Sequence, residues 1–359
     1  MLPFLKLIAR RLMAIPITLL VVTLLLYGVA MLAPLEIRAK LYWPPGASEQ
    51  WMSLNSEDEV RLLNERIIRE YGLDDPFPVQ YVRWLAKLLR GDWGSSFVVN
   101  DVLQALLQRT PATAELTLYS VLLLIPLGLF SGVMAGWRRN RLPDHGFRFL
   151  AFIATSVPPF ILALLLLAVF YVVLKWFPPG RFGMSTRLLV TSTTSDYKTY
   201  TGLVTIDGLL NGQLDVTLDA LRHLALPVLT LGMAHWATLG RVTRAAMVEE
   251  LGQQYITAAL GRGLTQRAVL WRHAFRNAIL PGLSSSGVAV AALVTGVFVV
   301  ESIFDFDGIS QLMVIAVSQT DLPLTLGIAV YSVLIVLPLM FVLDVLQGVV
   351  DPRLREGGA

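Results

Sequence analysis

Long uncharged apolar runs punctuate the chain at residues 12–33, 116–137, 149–174, 277–300 and 322–343. A sixth run, 224–240, is shorter and carries His235, but it can extend at both ends. A helix needs about 20 apolar residues to cross the hydrocarbon core of a bilayer. The pattern therefore predicts an all-α membrane protein with six transmembrane helices. Lys6, Arg10 and Arg11 precede the first run, as in a secretory leader. That run exceeds the roughly 7–15 residues of a leader core, so it reads as an uncleaved helix.

The arginines orient the spans, because cytoplasmic connections collect Lys and Arg. Basic residues stand before the first span and, as Arg138, Arg139, Arg141 and Arg148, after the second. Arg241, Arg244, Arg262, Arg267, Arg272 and Arg276 follow the fourth, and Arg353 and Arg355 follow the sixth. The short connection after the fifth span carries Glu301, Asp305, Asp307 and Asp321 and no basic residue. This places both termini in the cytoplasm and the acidic connection outside.

Two outer segments interrupt the apolar pattern. In the first, residues 34–115, Ser56 and Glu59 resemble a capping box ahead of Val60, Leu63, Ile67 and Tyr71 at helical spacing, with Gly72 as the stop. Pro78 opens a second helix with Tyr81, Leu85, Leu88 and Leu89 inward. Both helices are expected to pack on the outer mouth of the bundle. The second segment, 175–222, has a turn at Pro178-Pro179-Gly180 and a polar stretch from Ser192 to Asp196, and reads as a specificity insertion or a tolerated loop. The organisation is then an N-terminal tail and first span at 1–33, the outer helical segment at 34–115, a core at 116–350 and a tail at 351–359. The core carries the outer insert and a cytoplasmic loop, 241–276.

That loop holds the most informative stretch. Ala258, Ala259, Gly261 and Gly263 are small enough for another protein to approach the backbone, with Tyr255, Ile256 and Leu264 as apolar anchors. Thr257 to Leu260 suit a short helix, Arg262 can meet an acid on a partner, and Gly263 lets the chain turn away. The alternative is an ordinary solvated loop.

Composition agrees with a membrane protein. The chain is 55% hydrophobic and 15% charged, with mean hydropathy +0.63, where a soluble domain has about 25% charged residues. Net charge is +3, read as cytoplasmic arginines and not as a nucleic-acid surface. The absence of cysteine excludes disulfides, thiol catalysis and cysteine zinc sites, and the four histidines have no ligand-like spacing. No P-loop, HExxH or GxSxG occurs. Asp344, near the end of the last span, fits a partner for a tail arginine better than a proton relay. Ser284, Ser285, Ser286 and Thr295 are candidates to line a polar path or, equally, to pack helices. A gradient-driven carrier would need buried carboxylates or broken helices at mid-membrane, and a membrane enzyme a convergent polar site; neither is visible.

Ordered motifs over nearly the whole chain resemble the dipeptide/oligopeptide permease family of binding-protein-dependent ABC importers. They are Arg10-Arg11-Leu12 with Ile15-Pro16, Tyr71-Gly72-Leu73-Asp74 with Pro76, and Gly91-Asp92-Trp93-Gly94 with Ser96. Arg109-Thr110-Pro111-Ala112-Thr113, Leu226-Pro227, Arg241 with Arg244, Met247 and Glu249, and Arg272-His273-Ala274 with Arg276-Asn277-Ala278 and Leu280-Pro281 follow. Phe298-Val299-Val300-Glu301 with Ile303-Phe304 and Gly308, then Asp351-Pro352-Arg353, complete the series. The departures are Thr257 in place of an acidic residue, Leu260 in place of a basic one, Asp307 in place of a proline and Ser310 in place of a glycine.

The resemblance implies a type I ABC importer permease fold in the inner membrane. It implies a second, homologous permease subunit completing the pore, two ATP-binding subunits docked below and an extracytoplasmic substrate-binding protein delivering di- or oligopeptides. ATP and Mg2+ belong to the partner subunits, and this chain has no cofactor, no catalytic residue and no nucleic-acid partner. Residues 255–264 become the ATPase-coupling helix, and Phe298, Glu301 and Phe304 a candidate outer gate. Same-family import of nickel, oligosaccharide or another small solute is the alternative.

Overall fold

The computed structural model describes residues 2–43, 57–96, 98–192 and 196–350, and among them every regular element is helical. Four helices are long and apolar enough to cross a membrane unbroken: those containing Leu12–Ala30, Val102–Trp137, Leu214–Leu251 and Leu322–Val342. The fourth span does extend well past its apolar run. The third span is not the single rod expected over 149–174. It is Leu142–Ser156 followed by Pro159–Val173, bent by 104°. The cause is Pro158-Pro159: the residue before a proline is pushed out of the helical region, and Val157 is extended at ψ 121°. The fifth span is also bent, by 50°, between Gln266–Leu293 and Gly296–Ile303. Six crossings result when each bent pair counts as one. Ser56, half of the expected capping box, and the motif at 351–353 lie outside the described residues.

The chain divides into two compact units. One comprises Met1–Ile8, Ala112–Phe306 and Met340–Ala359, the other Ala9–Pro111 and Asp307–Leu339. In the first, the fourth span is the centre, with 61% of its apolar window buried. Apolar side chains cannot drive helices together in lipid, so close backbone approach must hold them. Gly128, Gly132 and Gly136 recur every four residues on the second span and face the fourth. A Cβ on Gly132 would stand 2.5 Å from the Gly240 carbonyl oxygen and 2.7 Å from the Thr243 Cβ. On Gly136 it would stand 2.7 Å from the Met247 Cβ. Gly282 of the fifth span meets the same Thr243.

The insert 175–222 is no slack loop. It contains helices Met184–Thr191 and Val204–Leu210, is tied to the second span by the buried Glu115 and is braced by Asp207 and Asp219. Glu115, fully buried, accepts hydrogen bonds from the Thr205 amide (2.8 Å) and hydroxyl (2.7 Å) and pairs with Arg181 at 3.0 Å. Asp207 accepts from Thr201 and from the Gly202 amide, and Asp219 from the Gly183 amide and the Thr186 hydroxyl. The turn at Pro178-Pro179-Gly180 is present, its Gly180 amide donating to the Phe304 carbonyl at 2.7 Å. Burial, reinforced by the nearby Asp207 and Glu115 carboxylates, pushes the Tyr197 phenol up to about 12.

In the second unit, helix Glu57–Tyr71 turns Val60, Leu63, Ile67 and Tyr71 inward as its spacing requires. Gly72 ends it at φ +58°, where the Leu73 amide reaches the Ile68 carbonyl. Helix Phe77–Leu89 buries Tyr81 and Trp84 against Tyr27 of the first span, and Leu326 and Val330 of the sixth close the same cluster. Leu89 corrects the expectation. It is 78% exposed, because Leu85 and Leu88 occupy the inner stripe and Leu89 lies one step, about 100°, further round. The motif residues have structural tasks. Ser96 donates to Asp321 at 2.5 Å, Asp321 caps the sixth span through the Leu324 amide, and Arg109 pairs with Asp307.

Gly132→Ala is expected to destabilise the chain by about 1–3 kcal/mol, since carbonyl and Cβ atoms must give way. Gly146→Ala, with nothing within 4 Å of its added Cβ, is expected to be neutral or slightly stabilising. Thermal unfolding in detergent compares them, and equal midpoints would contradict the packing argument.

Candidate functional site

The segment 254–264 forms the short helix Gln254–Gly261, longer at each end than the stretch 257–260 that composition suggested. Its stop is built from backbone. Gly263 sits at φ +82°, its amide donates to the Leu260 carbonyl (2.9 Å), and the Leu264 amide reaches back to the Ala259 carbonyl (3.3 Å). This is the left-handed termination that glycine alone adopts without strain.

The helix has two faces. Ile256 (3% exposed) and Ala259 (7%), three residues apart, are sunk among Val133 of the second span, Met247 of the fourth, and Val269, Leu270, Ala274 and Ala278 at the base of the fifth. They are therefore internal contacts and are not available to a partner, unlike the expectation for both. The exposed face carries Tyr255, Thr257, Ala258, Leu260, Gly261, Arg262, Gly263 and Leu264. A Cβ added at Gly261 or Gly263 meets nothing within 4 Å, so that face is open to close approach.

Polar contacts lock the helix to its neighbours. Asn277 donates to the Tyr255 hydroxyl at 3.1 Å, which donates to Glu250 at 3.1 Å, joining the fifth span, the helix and the end of the fourth. Burial raises the Tyr255 phenol above its ordinary value. Nearly two turns earlier on the fourth span, Arg244 grips the fully buried Asp144 with both arms of its guanidinium, at 2.5 and 2.8 Å. Asp144 also accepts the Asn140 amide at 2.9 Å, which ties in the arginine-bearing turn after the second span. Trp137, Arg138, Arg141, Leu260 and Gln266 border a groove of about 770 Å³ beside the helix. The six clustered arginines thus divide: Arg244 is structural, while Arg241, Arg262, Arg267, Arg272 and Arg276 are exposed.

The other candidates are placed less simply. Ser285 and Ser286 donate to carbonyls of their own helix, at Gly282 (2.9 Å) and Leu283 (2.6 Å), and Ser286 is buried. Ser284 is half-buried; the side chains of Thr295 and Asp344 lie outside the described residues. Of Phe298, Glu301 and Phe304, only Phe298 is exposed. Phe304 (1%) is part of the core around Leu293 and Val300, and Glu301 is fully buried. Among the described residues, no three histidines and carboxylates converge as metal ligands. Sequence reading missed Asp144, Glu115 and the glycine ladder. The four-residue glycine spacing was a usable signal. The carboxylates had none, since their partners lie about 100 and 90 residues away.

Residues 125–356 match the family model of the binding-protein-dependent transport system inner membrane component. The di/tripeptide transport system permease protein DppB of Pseudomonas aeruginosa is 35% identical over 296 residues, 82% of this chain and 85% of that one. The oligopeptide transport system permease protein AppB of Bacillus subtilis is 32% identical over 351 residues, 97% of this chain and 98% of that one. The dipeptide transport system permease protein DppB of Alkalihalophilus pseudofirmus is 33% identical over 303 residues, 84% of this chain. With a bent-span helical core, a fold of membrane crossings and relatives covering four-fifths or more of its length, the chain belongs to the family of binding-protein-dependent transport inner-membrane components, as a multi-pass, non-catalytic permease related to the di- and oligopeptide permeases.

Proposed function

We propose that this chain is one of two homologous permease subunits of an ATP-driven importer. It takes up di- or oligopeptides delivered by an extracytoplasmic binding protein, and both its termini lie in the cytoplasm. Two ATPase subunits dock below the pair, one of them on the exposed face of this chain's helix Gln254–Gly261. The observation that carries this reading is the two-faced helix: Ile256 and Ala259 fasten it to three spans, while Tyr255, Ala258, Leu260 and Arg262 stay outside. A force applied to the outer face reaches the second, fourth and fifth spans without first bending a loop. The arginines beside it support a cytoplasmic location. The peptide cargo rests on what the printed names of the relatives say they carry. Ser284, Ser285, Thr295 and Phe298 stay candidates to face the solute; Phe304 is reassigned to the core.

Ala258→Trp, on the exposed face, is expected to lower peptide uptake and substrate-stimulated ATPase activity of the assembled complex at least tenfold, with an unfolding midpoint close to wild type. Unchanged activity would sink the docking role. Ala259→Trp is expected to fail earlier, at folding, because the site is filled. Asp144→Asn leaves the Arg244 guanidinium against a neutral amide and is expected to cost about 2–3 kcal/mol of stability. A wild-type unfolding midpoint for Asp144→Asn would show that the clamp is dispensable.

A further inference from the structure

A groove of about 780 Å³ lies between helix Leu142–Ser156 and the fourth span, away from the coupling helix. We propose that it binds one anionic phospholipid, with the phosphate between Arg148 and Arg241 and an acyl chain along Phe149 and Phe152. His145, Arg148, Phe149 and Phe152 follow the i, i+3, i+4, i+7 pattern and share one helical face. His145 and Arg148 stand toward the helix start and Phe149 and Phe152 further along it, with the Arg241 guanidinium reaching the same helix at Thr155. Phe149 and Phe152 are 65% and 67% exposed, a surface that suits hydrocarbon and that a free inorganic anion would leave in water.

Of the arginines lining the groove, Arg244 is neutralised by Asp144, while Arg148 and Arg241 stand outside that pair. Asp144, the nearest carboxylate on the same helix, is already used by Arg244 and the Asn140 amide. Among the described residues, neither Arg148 nor Arg241 has a carboxylate oxygen within 4.0 Å. Arg241 instead donates to the hydroxyls of Thr155 (3.2 Å) and Thr238 (3.3 Å), which hold its guanidinium against the groove. Glu249 borders only the adjoining pocket of about 510 Å³, with Arg139 and Arg148. Basic pockets between spans at this membrane level suit acidic headgroups. The inference rests on the reading that this arginine-bearing end lies at a bilayer surface; it does not depend on coupling or cargo.

The test measures phosphatidylglycerol retained per chain, by native mass spectrometry of the full-length protein extracted from mixed phosphatidylglycerol and phosphatidylcholine vesicles. Wild type is expected to retain phosphatidylglycerol selectively. Arg148→Gln or Arg241→Gln is expected to lower retention about fivefold each, the equivalent of ~1 kcal/mol per basic side chain. Arg148→Lys with Arg241→Lys, which keeps the charge, is expected to retain most of it and controls for folding. Wild-type retention in both Gln variants overturns the proposal. So does inorganic phosphate displacing the lipid at equal concentration, which makes this a free-anion site, or loss of the lipid on assembly with the partner subunits, which makes it a protein contact. Failure of peptide uptake alone leaves the lipid result standing, so the two readings are separable.

Discussion

Two side chains three residues apart, Ile256 and Ala259, fix what the rest of the molecule can do. An isolated helix of eight residues has too few hydrogen bonds to offset its nucleation cost in water. Gln254–Gly261 is a helix because these two residues are buried among three spans and because Gly263 closes it. The spans they grip are in turn fixed by backbone contact at Gly132, Gly136 and Gly282, and by the Asp144–Arg244 pair. Remove the packing, and the segment reverts to a solvated loop.

The segments between the spans follow a different logic. Three of their polar anchors are carboxylates satisfied by several donors: Glu115 by Thr205 and Arg181, Asp207 by Thr201 and Gly202, Asp321 by Ser96 and Leu324. A buried carboxylate without such partners would be costly, so the partners and the carboxylate specify one arrangement together. Ser96, through Asp321, and Arg109, through Asp307, therefore hold elements in register within their own unit.

Much of this was legible in the sequence. Uncharged runs located the crossings, and Gly72 and Gly263 marked two helix stops that the backbone confirms at positive φ. The candidate site was singled out by small residues between apolar spans, and the structure makes that segment a short helix. Its sidedness did not, although the three-residue spacing of Ile256 and Ala259 contained it. Pro158-Pro159 stood in plain view inside the third run, but hydrophobicity summed over a window is blind to a backbone break. The placement of Phe304 in the core and of Glu115 against Thr205 depended on tertiary contacts that no local pattern encodes.

The chain has no cysteine, so a single one can report on the helix. Maleimide labelling of Ala258→Cys and Ala259→Cys, in the isolated chain and in the complex with its ATPase subunits, tests the two-faced helix directly. The account predicts that position 258 labels rapidly alone and is protected by the ATPases, while position 259 resists labelling in both. Equal labelling of position 258 with and without the ATPases, or rapid labelling of position 259 in the folded chain, would contradict it.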